Sequence, residues 1–492
     1  MANIFEWPLV DEFLGRTTEL AVLEDWWASA ERMPVSLYGR RRVGKSWLVR
    51  RFADSKPAVV LVGRRLAAGA QLDALANHLE PVLGVRPDLP DVPTLFRVLF
   101  RAARQRKLLV IIDEFPWLLP TTERAIEAEL SEIQAVMEEE RDDSLLKLIL
   151  CGSMVGQMEA LNAERSPLHG RLIQLRLHAL GFGEASLFLQ ALDPLERFER
   201  FAIAGGMPRY LTDLNGSNLR ATICGKILSR DAPLFDEART ILDQELREGK
   251  IYFSVLSLLA DGDKEIGELA NGTRIDSSRL SKYVNTLETL RIVARKLPIG
   301  AAPGSRGGHW HLEDAFFRFW FRFVFPFQDD LESGLKAVDL FDNAIVGSRF
   351  DQHVSIAFEQ WCREWTLATH GGISQQVGSW WGPSLHALRK TGERTTEEID
   401  VVGMSRGQVT LVGEAKWRTH GADANIVKDF EQYRIPAMKQ AGFKVARDCK
   451  LLVFSKGGAT ASLKKAADVD HLIELIDVPA ALDELRRYPA PP

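Results

Sequence analysis

Two groups of residues, near opposite ends of the chain, have the types and spacings that chemistry requires. The first is Gly39-x-x-x-x-Gly44-Lys45-Ser46 in "GRRRVGKS". Glycines at both ends let backbone N–H groups turn inward around phosphate oxygens. Lys45 is spaced to reach the β and γ phosphates of a nucleoside triphosphate, and the Ser46 hydroxyl to ligate Mg²⁺. "LLVIIDEF" ends in Asp113 and Glu114. Asp113 suits holding Mg²⁺ through water, and Glu114 suits polarising an attacking water beside the γ phosphate. "LKLILCGS" ends in Gly152 and Ser153. Ser153 can sense the γ phosphate or can simply make a turn. Arg171 is either a charge-stabilising arginine, acting in its own chain or on a neighbour, or a surface arginine.

The second group lies in "TTEEIDVVGMSRGQVTLVGEAKW". Residues two apart on a strand share a face, so Glu414 and Lys416 point the same way. Asp400 meets them if the two strands pair. Carboxylates converging on one point bind a hard divalent ion such as Mg²⁺ or Mn²⁺, and a lysine beside them can stabilise charge on a phosphate. Metal-dependent phosphodiester cleavage needs this set. The alternatives are a cross-strand salt bridge on a sheet face and a fold of this kind that only binds.

The elements that must position these groups are legible in outline. "MPVSLYGR", "PAVVLVG", "KLLVIIDEF" and "LLKLILCGS" are short apolar runs typical of buried parallel strands, and helical segments lie between them. The expectation is a multidomain α/β protein. Residues 1–180 form a parallel-sheet P-loop core and 181–248 a helical lid. Residues 249–327 contain three helices and a hairpin, the winged helix-turn-helix order. Residues 328–348 are a linker, and 349–492 a C-terminal α/β domain read as helix, strand, strand, helix, strand, helix. "AFFRFWFRFVFPF" reads as an aromatic helix that docks on a neighbour. Arg274, Arg279, Lys282, Arg291, Arg295, Lys296 and Arg306, with Ser277, Ser278 and Asn285, gather on the third helix and the hairpin. They suit contact with duplex DNA, or the module relays state between domains.

Bulk composition narrows the class. The formal net charge is -5, so contact with nucleic acid has to come from local basic patches. The 492 residues contain four cysteines, none in a C-x-x-C pair, which points to a reducing cytoplasm rather than a disulfide framework. No apolar run reaches the ~20 residues of a membrane helix.

"FLGRTTELAVLEDW", "YGRRRVGKSWLVRRF", "LLVIIDEFPWL", "LILCGSMVGQM", "PLHGR" and "GGMPRYL" occur in this order. Over about residues 10–230 they resemble the archaeal-type predicted ATPase family, a branch of the AAA+/STAND-related P-loop ATPases. The resemblance implies ATP as ligand. It also implies that Gly205, Gly206 and Pro208 mark the lid, that Arg209 is a sensor, and that Phe13, Leu14, Gly15 and Arg16 border the base. Over about residues 349–475, Asp400 followed by Glu414-x-Lys416 resembles the PD-(D/E)xK restriction-endonuclease-like superfamily. There, the helical Glu359 in "AFEQWCREW" matches a further acidic metal ligand. The leading Pro-Asp is absent, because Asp400 follows Ile399. "GSWWGP" before the first strand and "LLVFSKGG" after the core are similar to the C-terminal domain often fused to these ATPases. The expectation is an Mg-ATP-hydrolysing protein acting on DNA, with a metal-dependent C-terminal nuclease and a role in mobile elements or phage defence. A homo-oligomer fits this class. The rival is a STAND-like signalling switch whose C-terminal domain only mediates interactions.

Overall fold

The computed structural model describes residues 13–246, 249–302, 304–305, 307–384 and 396–484; Arg306 lies outside them. The chain clusters into two compact units. The first ends at Leu180 and also takes Met207–Arg209, and the second holds Gly181–Gly206 and the chain from Tyr210 onward.

The first unit is built on five strands: β1 (Val35–Tyr38), β2 (Ala58–Val62), β3 (Leu108–Asp113), β4 (Leu146–Gly152) and β5 (Ile173–Arg176). They lie in the order β2-β3-β4-β1-β5, every neighbouring pair parallel. Parallel strands need crossovers, and the helices Lys45–Ala53, Ala68–Leu83, Val92–Ala102 and Glu123–Glu140 supply them. Those helices cover both faces, so Leu109, Val110, Ile111 and Ile112 have no exposure at all. This explains why the strand reads as a continuous apolar run. Strand β5 does not look like its neighbours. Its "IQLR" alternates polar and apolar residues because it is a half-buried edge.

In the second unit, the helices Gly249–Ala260, Ile266–Thr273 and Ser277–Thr289 precede β6 (Val293–Lys296), which pairs antiparallel with β7 (His309–Leu312). The aromatic helix Ala315–Phe323 begins on an Asp314 cap, whose carboxylate accepts from the Phe317 amide at 2.7 Å. Seven of its nine residues are apolar, and all seven are buried, as is Arg318. Residues 328–348, expected as a linker, carry helical turns at Gln328–Glu332, Ala337–Leu340 and Phe341–Ile345. Leu331, Leu340, Phe341 and Ile345 are buried there, so this stretch packs rather than spans.

The helix Ser348–His370 leads into a second five-stranded sheet. Its strands are β8 (Gln376–Pro383), β9 (Thr396–Ser405), β10 (Gln408–Lys416), β11 (Lys444–Ser455) and β12 (Ile473–Ile476), in the order β12-β11-β10-β9-β8. Strands β8, β9 and β10 form an antiparallel meander, and β10, β11 and β12 run parallel. Arg406 and Gly407 both take positive φ, 50° and 75°, which is what a two-residue hairpin turn between Ser405 and Gln408 requires. The order read from the sequence missed β8 and β12. "GSWWGP" lies inside β8 instead of before the first strand, because its glycines and proline disguise an edge strand. Among the described residues no helix is long and apolar enough to cross a membrane.

Candidate functional sites

In the first unit, Lys45, Ser46, Asp113, Glu114 and Ser153 follow or end β1, β3 and β4 at their C-terminal ends, where parallel α/β sheets hold ligands. Gly39 leaves β1 so close to the chain that a Cβ there would sit 2.5 Å from the Leu177 carbonyl. Gly44 has φ 99°, which favours glycine, and it caps the helix beginning at Lys45. The Lys45 ammonium donates to the Gly39 carbonyl at 2.7 Å and to the Arg40 carbonyl at 3.0 Å, so it is folded into its own loop. Ser46 is exposed on the first helical turn. Arg16, itself at φ 57°, ties the loop down by donating to the Val43 carbonyl at 2.8 Å and to the His178 carbonyl.

Asp113 is the last residue of β3, and Glu114 turns away at φ 52°. A Cβ on Gly63 would collide with the Glu114 carbonyl, so glycine allows that turn. Burial, then the Glu114 charge, raise Asp113 above the usual carboxylate range; Lys45 works the other way. The Glu114 carboxylate accepts from the Ser153 hydroxyl at 2.9 Å and from the Ser153 amide at 3.2 Å. Arg171 donates from Nε and Nη2 to Glu138 at 3.0 and 2.8 Å and from Nη1 to the His169 carbonyl. Its guanidinium is thus engaged by the Glu123–Glu140 helix.

In the second unit, the β9–β10 ladder ends at Val401 opposite Gly413. Just beyond that point the Asp400 carboxylate replaces a strand carbonyl and accepts from the Ala415 amide at 2.8 Å. Glu414 and Lys416 do share a face, and their charges meet in an ion pair. Trp417, buried against Phe198 and Phe358 at 5.1 and 5.0 Å, anchors the strand end. Glu414 is 2% exposed on the central strand and also pairs with Arg434, from the segment that crosses to β11. Glu359 faces the set from the Ser348–His370 helix. Burial, then the Asp400 charge, raise Glu359, while Lys296 and Arg363 oppose the rise. Burial, then the Glu414 charge, raise Asp400. Among the described residues, no group of three or more His, Cys, Asp and Glu side chains is arranged to hold a metal ion. The expected trio of Glu359, Asp400 and Glu414 is therefore not a cage in this state. Glu414 has spent its oxygens on cations instead.

Residues 29–155 match the AAA domain family. Residues 320–427 match a second family, described as archaea bacterial proteins of unknown function. The chain is 24% identical over 414 residues to an uncharacterized protein of Methanocaldococcus jannaschii, covering 82% of this chain and 88% of that one. A stretch of 44 residues is 43% identical to an uncharacterized ATP-binding protein of the same organism, 9% of this chain and 75% of the other. Among solved structures, a Walker-type ATPase of Pyrococcus abyssi covers 65% of this chain and 99% of its own, at 18% identity and a TM-score of 0.46. The ORC2 protein of Aeropyrum pernix, in ADPNP-ADP complexes, covers 67% and 97% at 14% identity and 0.44.

The AAA domain match contains the loop at Gly39–Ser46 together with Asp113, Glu114 and Ser153. The first unit is thus an ATPase-type AAA domain, and a separate α/β sheet domain follows it in the chain. Glu359, Asp400, Glu414 and Lys416 fall in the second match, and Arg434 lies outside it. The sequence reading passed over Arg434, although a basic residue on the crossover after a Glu-x-Lys strand was a usable signal. Arg295 and Lys296 were expected on the hairpin among residues suited to contact with duplex DNA. In the structure both are half-buried, with Arg295 donating to the Ser305 carbonyl and Lys296 lying 3.7 Å from Asp263. The reason is that the chain just after β6 docks on β8, where the Ile299 amide donates to the Ser379 carbonyl at 2.8 Å.

Proposed function

We propose that the chain binds and hydrolyses Mg-ATP in its AAA domain and acts on DNA, with phosphodiester cleavage at Asp400, Glu414 and Lys416. The pairing that carries the first half is Glu114 with Ser153 beside Asp113 and Lys45. That arrangement at adjacent strand ends supports water polarisation by Glu114, γ-phosphate sensing by Ser153 and phosphate binding by Lys45. Lys45 exchanges its two loop carbonyls for phosphate oxygens, and the Gly39–Gly44 amides cradle the remainder. Ser46 and Asp113 fit Mg²⁺, because a buried carboxylate raised by its neighbour gains from a cation. When bound, that ion neutralises charge on the β and γ phosphates.

For the C-terminal domain, the meander of β8, β9 and β10 followed by a crossover to parallel β11 supports the PD-(D/E)xK reading. Burial first, then Asp400 for Glu359 and Glu414 for Asp400, raises both carboxyls, and the pair fits a divalent ion, which when bound polarises a phosphoryl oxygen. Lys416 stabilises charge on the phosphate. The winged-helix reading rests on three helices followed by a hairpin, with Ser277, Ser278, Arg279, Lys282 and Asn285 on the exposed side of Ser277–Thr289. A second reading, a STAND-like switch with an interaction-only C-terminal domain, draws on the pairing of Glu414 with Lys416 and Arg434.

One reaction tests both halves: supercoiled plasmid with ATP and Mn²⁺, followed for phosphate release and for nicking. Wild type should release phosphate and nick. Lys45→Ala should lose phosphate release, and Lys416→Ala should lose nicking alone. Phosphate release without nicking in wild type would favour the switch.

A further inference from the structure

Both carboxylate oxygens of Glu414 rest on cations. Oε1 faces the Lys416 ammonium and Arg434 Nη2, the latter at 3.4 Å, and Oε2 faces Arg434 Nη1. Lys416 is 32% exposed and Arg434 19%, so the arginine is the better-seated partner. The fold places it there by local means. Phe430–Arg434 is a π-helical turn, and such turns are common at functional sites. Its guanidinium also lies 4.8 Å over the Phe430 ring. Burial disfavours the Arg434 charge, but Glu414 together with Asp400 and Asp429 holds the guanidinium above its ordinary value.

A carboxylate held this way has little left to give a metal. Its two partners are the side chains best suited to a phosphodiester: a point ammonium and a forked guanidinium. On the reading that this face takes a divalent ion and a polynucleotide, we propose that a polynucleotide phosphate draws Lys416 and Arg434 off Glu414. Glu414 becomes a metal ligand only then, so metal and polynucleotide bind cooperatively. Arg434 is the positioning residue that sets the coupling. Until the phosphate arrives, a metal meets only Asp400 and Glu359. Binding linkage is reciprocal, so the metal tightens the polynucleotide by the same factor.

The test is calorimetric titration of Mn²⁺ into the full chain, with and without a short phosphorothioate duplex. Wild type should bind Mn²⁺ on the order of tenfold more tightly when the duplex is present. Without the duplex, Arg434→Gln should bind Mn²⁺ about as tightly as wild type does with it. Arg434→Lys should retain part of the coupling. Neither pattern follows if Arg434 only stabilises the fold. Equal wild-type Mn²⁺ affinity in both conditions would overturn the proposal and leave the metal reading standing. So would an Arg434→Gln variant with unchanged affinity and unchanged coupling. No Mn²⁺ binding in either condition would overturn the metal reading, and the coupling with it.

Discussion

The Ser153 hydroxyl and amide donate to one oxygen of the Glu114 carboxylate, at 2.9 and 3.2 Å. Glu114 leaves β3 at a left-handed backbone angle, so nothing in its own strand would aim its side chain. The residue after β4 aims it instead. Ser153→Ala keeps the amide contact and loses the hydroxyl. Steady-state phosphate release should fall roughly tenfold, the size expected for one lost hydrogen bond to a charged group. ATP affinity, followed with a fluorescent analogue, should hold. An unchanged turnover number would mean that the hydroxyl does not position Glu114.

Glu359 is raised chiefly by burial and then by Asp400. A carboxyl raised in the folded state binds more protons there than in the unfolded chain. Stability therefore falls as pH climbs above the ordinary carboxylate range toward the raised value. Glu359→Gln removes that penalty. In urea denaturation at pH 8 the variant should be more stable than wild type by at least ~1 kcal/mol, since Glu359 is raised to about 8 and each pKa unit is worth about that much. The gain should vanish at pH 4.5. A variant equally or less stable at pH 8 would mean that the carboxyl is not held against its charge.

Lys147 is 3% exposed on β4 and donates to the carbonyls of Trp26, Ser29 and Glu31. It closes the end of the Thr17–Ala28 helix, and burial lowers it to about 8. Lys147→Met fills the space and strands three acceptors. Unfolding free energy in urea should drop by about 2–3 kcal/mol. A drop under about 0.5 kcal/mol would show that water satisfies those carbonyls.

The loop at Gly39–Ser46 and the strand ending at Asp113 were legible because both follow from short-range rules. Glycines at fixed offsets make the loop, and five apolar residues before Asp113 drive a strand through the sheet. Pairing of Glu114 with Ser153 was not legible, because it depends on β3 and β4 being neighbours, and parallel strands adjacent in space are far apart in sequence. Arg171 looked free to reach a phosphate until the Glu123–Glu140 helix placed Glu138 against it. In the C-terminal domain, period-two spacing correctly put Glu414 and Lys416 on one face. Arg434 escaped because its place depends on a π turn, which no apolar period reports. Strand β8 escaped because an edge strand tolerates the glycines and proline that normally break a strand.

Glu114 is the residue proposed to activate water in the AAA domain. Single-turnover hydrolysis of radiolabelled ATP by wild type and Glu114→Gln measures this directly, because the amide keeps the shape and removes the base. ATP binding should be unchanged and the hydrolysis rate lowered by about 10²–10⁴-fold. Hydrolysis by Glu114→Gln at the wild-type rate would contradict that role.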